Sequence, residues 1–125
     1  MGYESRLIVA KRTVQERSGL VWFEKIAEIN MCVCGADFRY IFTTEIESNI
    51  YGDGYEKGST EDSYVMTEDK YGKVCKYTDL QTVIDYMEKE ETKEHYRRYA
   101  VALAMLKAFQ AEEWESPLVV IHYGY

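Results

Sequence analysis

From Leu20 to Cys34 the chain alternates with a period of two, and no other feature restricts its folding as strongly. One parity reads Val21, Phe23, Lys25, Ala27, Ile29, Met31 and Val33; the other reads Trp22, Glu24, Ile26, Glu28, Asn30, Cys32 and Cys34. A helix would scatter these residues around its axis, whereas a strand sends alternate side chains to opposite faces. The run predicts one long strand with its first parity toward the core. Such a strand needs neighbours to satisfy its backbone, and several flanking segments qualify.

Residues 3 to 12 carry Tyr3, Leu7 and Val9 on one parity and Ile8 and Ala10 on the other, the composition of a strand covered on both sides. Ser18-Gly19 supplies the turn between the two. Residues 38 to 46, rich in aromatic and β-branched types, predict a third strand. The stretch 48 to 62 holds Gly52, Gly54 and Gly58 among polar residues and predicts a long loop. After it, Tyr64–Thr67 and Lys73–Tyr77 flank a turn containing Gly72, the pattern of a hairpin.

Thr78-Asp79-Leu80-Gln81 has the spacing of a capping box, and Leu80, Val83, Ile84 and Met87 follow at helical intervals, predicting a helix over 79–91. A second helix is expected over 93–112. Its centre is apolar nearly all the way round, which predicts a position inside the fold, with Pro117 as its stop. Residues 118 to 125 close the chain as a strand. The expected architecture is α+β: an antiparallel sheet with long N-terminal strands, a central hairpin, two packed helices and a C-terminal strand, in one domain of 125 residues. No apolar run approaches the ~20 residues of a membrane span. Charges at Glu4 and Arg6 interrupt any secretory segment, so the cytoplasm is the expected location.

Charge is distributed unevenly. Of 22 acidic and 15 basic residues, the segment 43 to 69 holds Glu45, Glu47, Asp53, Glu56, Glu61, Asp62, Glu68 and Asp69 against Lys57 alone. The rest of the chain, with 14 of each sign, is neutral, so the whole net charge of −7 lies in this segment. An anionic segment repels nucleic acid and attracts basic protein surfaces. Glu45 and Glu47 on one strand face would stand about 6.7 Å apart, a spacing suited to the cationic groove that grips nucleic-acid phosphates. Tyrosine is abundant at twelve residues, and Tyr40, Tyr51, Tyr55, Tyr64 and Tyr71 lie in or beside the segment. Tyrosine offers large contact area at small entropic cost. The partner-binding candidates are therefore Glu45, Glu47, Tyr51, Asp53, Tyr55, Glu56, Glu61, Asp62, Tyr64, Glu68 and Asp69. The plainer alternative is a solvated acidic loop that maintains solubility.

Cys32 and Cys34 share one face of the long strand. Zinc thiolates stand ~3.8 Å apart, so the two side chains would have to lean together. Cys75 and His122 complete a candidate set of four for one structural zinc, with Asp37 as a substitute ligand. The competing reading is three buried core thiols, because C-x-C is not the paired C-x-x-C of zinc modules. No nucleophile lies beside His95 or His122 in a triad pattern, and the glycines of 52 to 58 precede no helix that could bind phosphate. A non-enzymatic protein without direct nucleic-acid or membrane binding is expected.

The opening "MGYESRL", the closing "VVIHYGY", the middle "EDKYGKVCKYTDLQTVIDYME" and the helix "YRRYAVALAMLKAF" resemble a group of small proteins of phages and prophages of low-GC Gram-positive bacteria. Some small acidic proteins of this kind are similar in role to anti-CRISPR proteins, which block a type II CRISPR effector nuclease. The resemblance implies a phage inhibitor whose partner is such a nuclease. The alternative is a metal-stabilised structural or adaptor protein of the phage with no host-enzyme target.

Overall fold

The computed structural model describes residues 4–33, 40–47, 50–51, 72–89 and 97–124. Strand β1 (Glu4–Val14) and strand β2 (Val21–Val33) form a long antiparallel hairpin. Gly19, at φ 73°, occupies the left-handed region at its turn, and its amide donates to the Gln15 carbonyl at 2.8 Å. Two-residue strands β3 (Thr44–Glu45) and β4 (Ile50–Tyr51) follow, then β5 (Lys76–Asp79), helix α1 (Leu80–Lys89), helix α2 (Arg97–Ala111) and β6 (Leu118–Gly124). The sheet order is β3-β5-β6-β1-β2-β4, antiparallel except for the β2–β4 pair. The expected α+β architecture is present, with its long N-terminal strands, paired helices and closing strand.

β1 lies near the middle of the sheet and is covered on both faces, as its composition predicts. Leu7 and Val9 enter one core, Ile8 and Ala10 the other, and all four are essentially inaccessible to water. The first core packs against the helices through Leu80, Val83, Ile84 and Met87 of α1 and Tyr99, Ala102 and Leu106 of α2. The second gathers Phe23, Ile46, Ile50, Cys75, Val119 and Ile121 with Ile8 and Ala10.

The geometry of the second core follows from connectivity. β3 and β4 occupy opposite edges, five spacings apart, which is about 24 Å in a flat sheet. The chain from Glu45 to Ile50 can span no more than about 18 Å when fully extended. The sheet must therefore curl until its edges approach, and the second core fills the concave side. The Phe23–Tyr77 ring contact, with centroids 5.2 Å apart, joins strands β2 and β5, which a flat sheet would hold about 14 Å apart.

Several local expectations change. The long strand does not keep one parity toward one core: Val9 pairs with Ala27 but Ala10 pairs with Lys25, so Ile26 is an extra bulge residue. Val21 and Phe23 therefore face the concave core, while Ala27, Ile29 and Met31 face the helices. The expected third strand shrinks to Thr44–Glu45 and begins after a short 3-10 turn at Tyr40–Ile41. Within the expected loop 48 to 62, Ile50–Tyr51 instead pairs with β2, because Ile50 buries its side chain in the concave core. Gly72 takes the left-handed conformation, φ 78°, but the described neighbours of β5 are β3 and β6; the expected hairpin arm 64–67 lies outside the described residues.

Helix α1 is capped one residue later than its spacing implies. The Asp79 carboxylate accepts the Thr82 amide at 2.9 Å, which makes Asp79 the N-cap in place of Thr78. Helix α2 is not interior: Val101 and Met105 are exposed, and only one face enters the core. Its end also precedes Pro117 by several residues. The Phe109 carbonyl there accepts the Glu112 amide at 3.2 Å and the Trp114 indole N–H at 2.9 Å, satisfying the last turn without proline. The Gln81–Gln110 amide contact and the Tyr99 hydroxyl on the Met87 carbonyl set α2 antiparallel to α1. Neither helix is long and apolar enough to cross a membrane.

Candidate protein-interaction surface

The acidic segment is rooted where the sheet's two edges meet. It enters through β3, passes to β4 on the other edge and returns ahead of β5, the neighbour of β3. Ile46 and Ile50 are buried in the concave core and hold the entering part down. The Ile46 amide donates to the Cys75 carbonyl at 3.0 Å, tying the entry to the return. Curling of the sheet thus brings the entry of the segment and the chain at residue 75 to one seam.

At that seam Glu47 is committed to the protein itself. The Arg12 guanidinium donates to its carboxylate through Nε, at 3.2 Å to Oε1, and through Nη2 to Oε2, while the Tyr77 hydroxyl donates to Oε1 at 3.0 Å. This two-pronged fork is the geometry for which guanidinium and carboxylate are matched. Arg12 holds the Glu47 carboxyl below the ordinary glutamate range, against a smaller opposing effect of desolvation. Burial, reinforced by Glu47, pushes the Tyr77 phenol above its usual value.

The expected pair of free carboxylates at Glu45 and Glu47 is therefore absent. The strand ends at Glu45, and Glu47 serves as the internal partner of Arg12. Glu45 is exposed and stands across the ladder from Lys76, an opposite-charge pair of positions. Tyr40, just ahead of the segment, is 71% exposed. Tyr51 contributes backbone pairing to β2 opposite Glu24. Asp53, Tyr55, Glu56, Glu61, Asp62, Tyr64, Glu68 and Asp69 lie outside the described residues, as does Tyr71.

The expected zinc set is not brought together. Cys75 is buried in the concave core. His122 pairs with Leu7 across the β1–β6 ladder and lies 5.2 Å, ring to ring, from Phe42, both of which belong to the helix-side core. Residues directly opposite in an antiparallel ladder share a face, so Cys75 and His122 occupy opposite faces of the sheet. One metal cannot reach both. Cys32 lies on β2 opposite Ser5, and Cys34 lies outside the described residues. Among the described residues no three His, Cys, Asp or Glu side chains converge as a metal group.

Arg12 and Tyr77 are the seam residues that sequence reading missed. Arg12 sits at the end of a strand where a charge reads as ordinary surface, and Tyr77 is one tyrosine of twelve. A groove of about 330 Å³ also opens between the start of α1 and the end of α2, lined by Leu80, Phe109, Trp114 and Pro117 with Asp79 and Gln110. Asp79 there already accepts the Thr82 amide and Trp114 already donates to Phe109, so these groups are engaged within the fold. No protein-family model, curated protein or solved structure matches this chain.

Proposed function

We propose that this chain is a non-enzymatic inhibitor encoded by a phage or prophage, anti-CRISPR-like in role, that docks its acidic segment on a basic groove of a host nucleic-acid-handling protein. The partner of choice is a type II CRISPR effector nuclease, whose cationic channel the segment occupies in place of nucleic acid. One observation carries the reading: the entire net charge of −7 falls in residues 43 to 69, on a chain otherwise neutral. Anchoring of the segment's entry through the buried Ile46 and Ile50 adds support, because a docking element held to the fold loses less entropy on binding than a free tail.

Internal pairing of Glu47 reassigns the contact to the later carboxylates. The test is direct binding of the full chain to a purified type II effector nuclease, by calorimetry at about 50 and about 300 mM salt. Expected is binding that weakens at least tenfold across this range. Neutralising Glu61, Asp62, Glu68 and Asp69 together should remove both the binding and its salt dependence, while Glu47→Gln leaves them intact. Lack of association with the effector, with or without its guide RNA, or binding unchanged in the quadruple variant, overturns the proposal.

A further inference from the structure

Helix α2 turns an apolar face to water. Val101 is 58% exposed and Met105 38%, and Ala100, Ala104 and Ala108 are exposed beside them. At ~100° per residue these five positions fall within an arc of about 140°, opposite the buried Tyr99, Ala102 and Leu106. A surface helix ordinarily reserves that arc for polar residues. Lys107 pairs with Glu88 on α1, so its ammonium is drawn toward the neighbouring helix and away from the stripe.

We propose that this face is a homodimer interface, on which a second copy of the chain lays its own α2 antiparallel about a two-fold axis passing between Ala104 and Met105. Two features of the helix favour a second copy over another occupant. The first is size. Under this two-fold, Ala104 meets the partner's Met105 and Val101 meets the partner's Ala108, so each large side chain lies over a small one. The second is charge. The helix opens with Arg97-Arg98 and is followed by Glu112-Glu113, so the same axis lays the basic end of each helix over the acidic end of the other. Antiparallel helix dipoles add in the same sense. A single helix face buries less than the ~1,600 Å² of a standard interface, so the dimer forms in the high-micromolar range. This inference is independent of the acidic segment.

Sedimentation equilibrium of the full chain tests it. The mass is expected to rise from 14.7 kDa toward twice that value as the concentration approaches about 1 mM. Val101→Glu with Met105→Glu alters only exposed positions, keeps the circular dichroism spectrum and melting temperature, and weakens association at least ~30-fold. A stricter test uses charge. Arg97→Glu with Arg98→Glu makes one chain acidic at both helix ends, and Glu112→Lys with Glu113→Lys makes another basic at both. Each alone should associate about tenfold more weakly than the parent, and an equimolar mixture should recover association as a heterodimer. A monomer at every concentration overturns the proposal, as does a dimer indifferent to the Val101 and Met105 substitutions or a mixture that fails to recover.

Discussion

The two faces of the sheet are closed by different means. On the convex face, two helices of regular amphipathic or partly amphipathic pattern lay a continuous set of aliphatic side chains over Leu7, Val9, Ile29 and Met31. On the concave face, residues from β1, β2, β4 and β6 and two irregular positions, Ile46 and Cys75, meet because a short connection draws the sheet edges together. Burial alone accounts for the first closure. In the second a length limit on the chain also acts, and a polar clasp, Arg12–Glu47–Tyr77, sits at its rim. Apolar area makes a core favourable, whereas connectivity and a directional contact decide the shape it takes.

The largest expected effects test whether both faces are true cores of one cooperative unit. Phe23→Ala empties the concave side, where Phe23 is fully buried, and should cost about 3–5 kcal/mol; Leu106→Ala on the helix side should cost about 2–5 kcal/mol. Guanidinium denaturation should show both as lowered midpoints with unchanged slope. A Phe23→Ala variant within 1 kcal/mol of the parent would break the comparison, reducing the concave cluster to a loosely covered surface.

Of intermediate size is Asp79→Ala, which removes the cap of α1. The expected loss is about 1 kcal/mol, against a few tenths for Thr78→Ala, read from thermal melts. Equal losses would return the cap to Thr78.

The clasp should have the smallest effect on stability. Glu47 and Arg12 are partly exposed, so solvent screening limits their pair to less than about 1 kcal/mol. Its signature is in the pH dependence. Because the folded-state pKa of Glu47 is depressed, its contribution is present above the ordinary glutamate range and is lost as pH falls through the lowered folded value. Tyr77 is raised, so its contribution is present below the ordinary tyrosine range and is lost as pH rises through the folded value. Glu47→Gln should flatten the acid limb of a stability–pH curve and Tyr77→Phe the alkaline limb. An acid limb unchanged in Glu47→Gln would show that the clasp does not couple to folding.

Local pattern was most informative where one element repeats its period without interruption. The buried positions of α1, Leu80, Val83, Ile84 and Met87, are the four that its helical spacing selects. The double burial of β1 also follows from apolar residues on both parities. The same reasoning failed on β2, since an inserted residue at Ile26 reverses the side chains that follow until a second insertion at Met31, and alternation carries no mark of either. It failed on α2 for another reason: an all-round apolar helix signals burial without saying whether the second covering layer comes from the same chain. Of the seam, the sequence exposed the concentration of negative charge but not the diversion of Glu47 to Arg12, a partner 35 residues away.

By itself, then, the sequence determined the two long N-terminal strands, the two helices, the closing strand, their order and the one acidic stretch, because propensity, capping and periodicity act between residues a few positions apart. Only the tertiary structure decided the curl of the sheet, the separation of Cys75 from His122 onto opposite faces, and the pairing of Glu47 with Arg12 and Tyr77. Those outcomes depend on strand order and ladder register, which arise when distant segments compete for the same edges, and no short window of residues contains that competition.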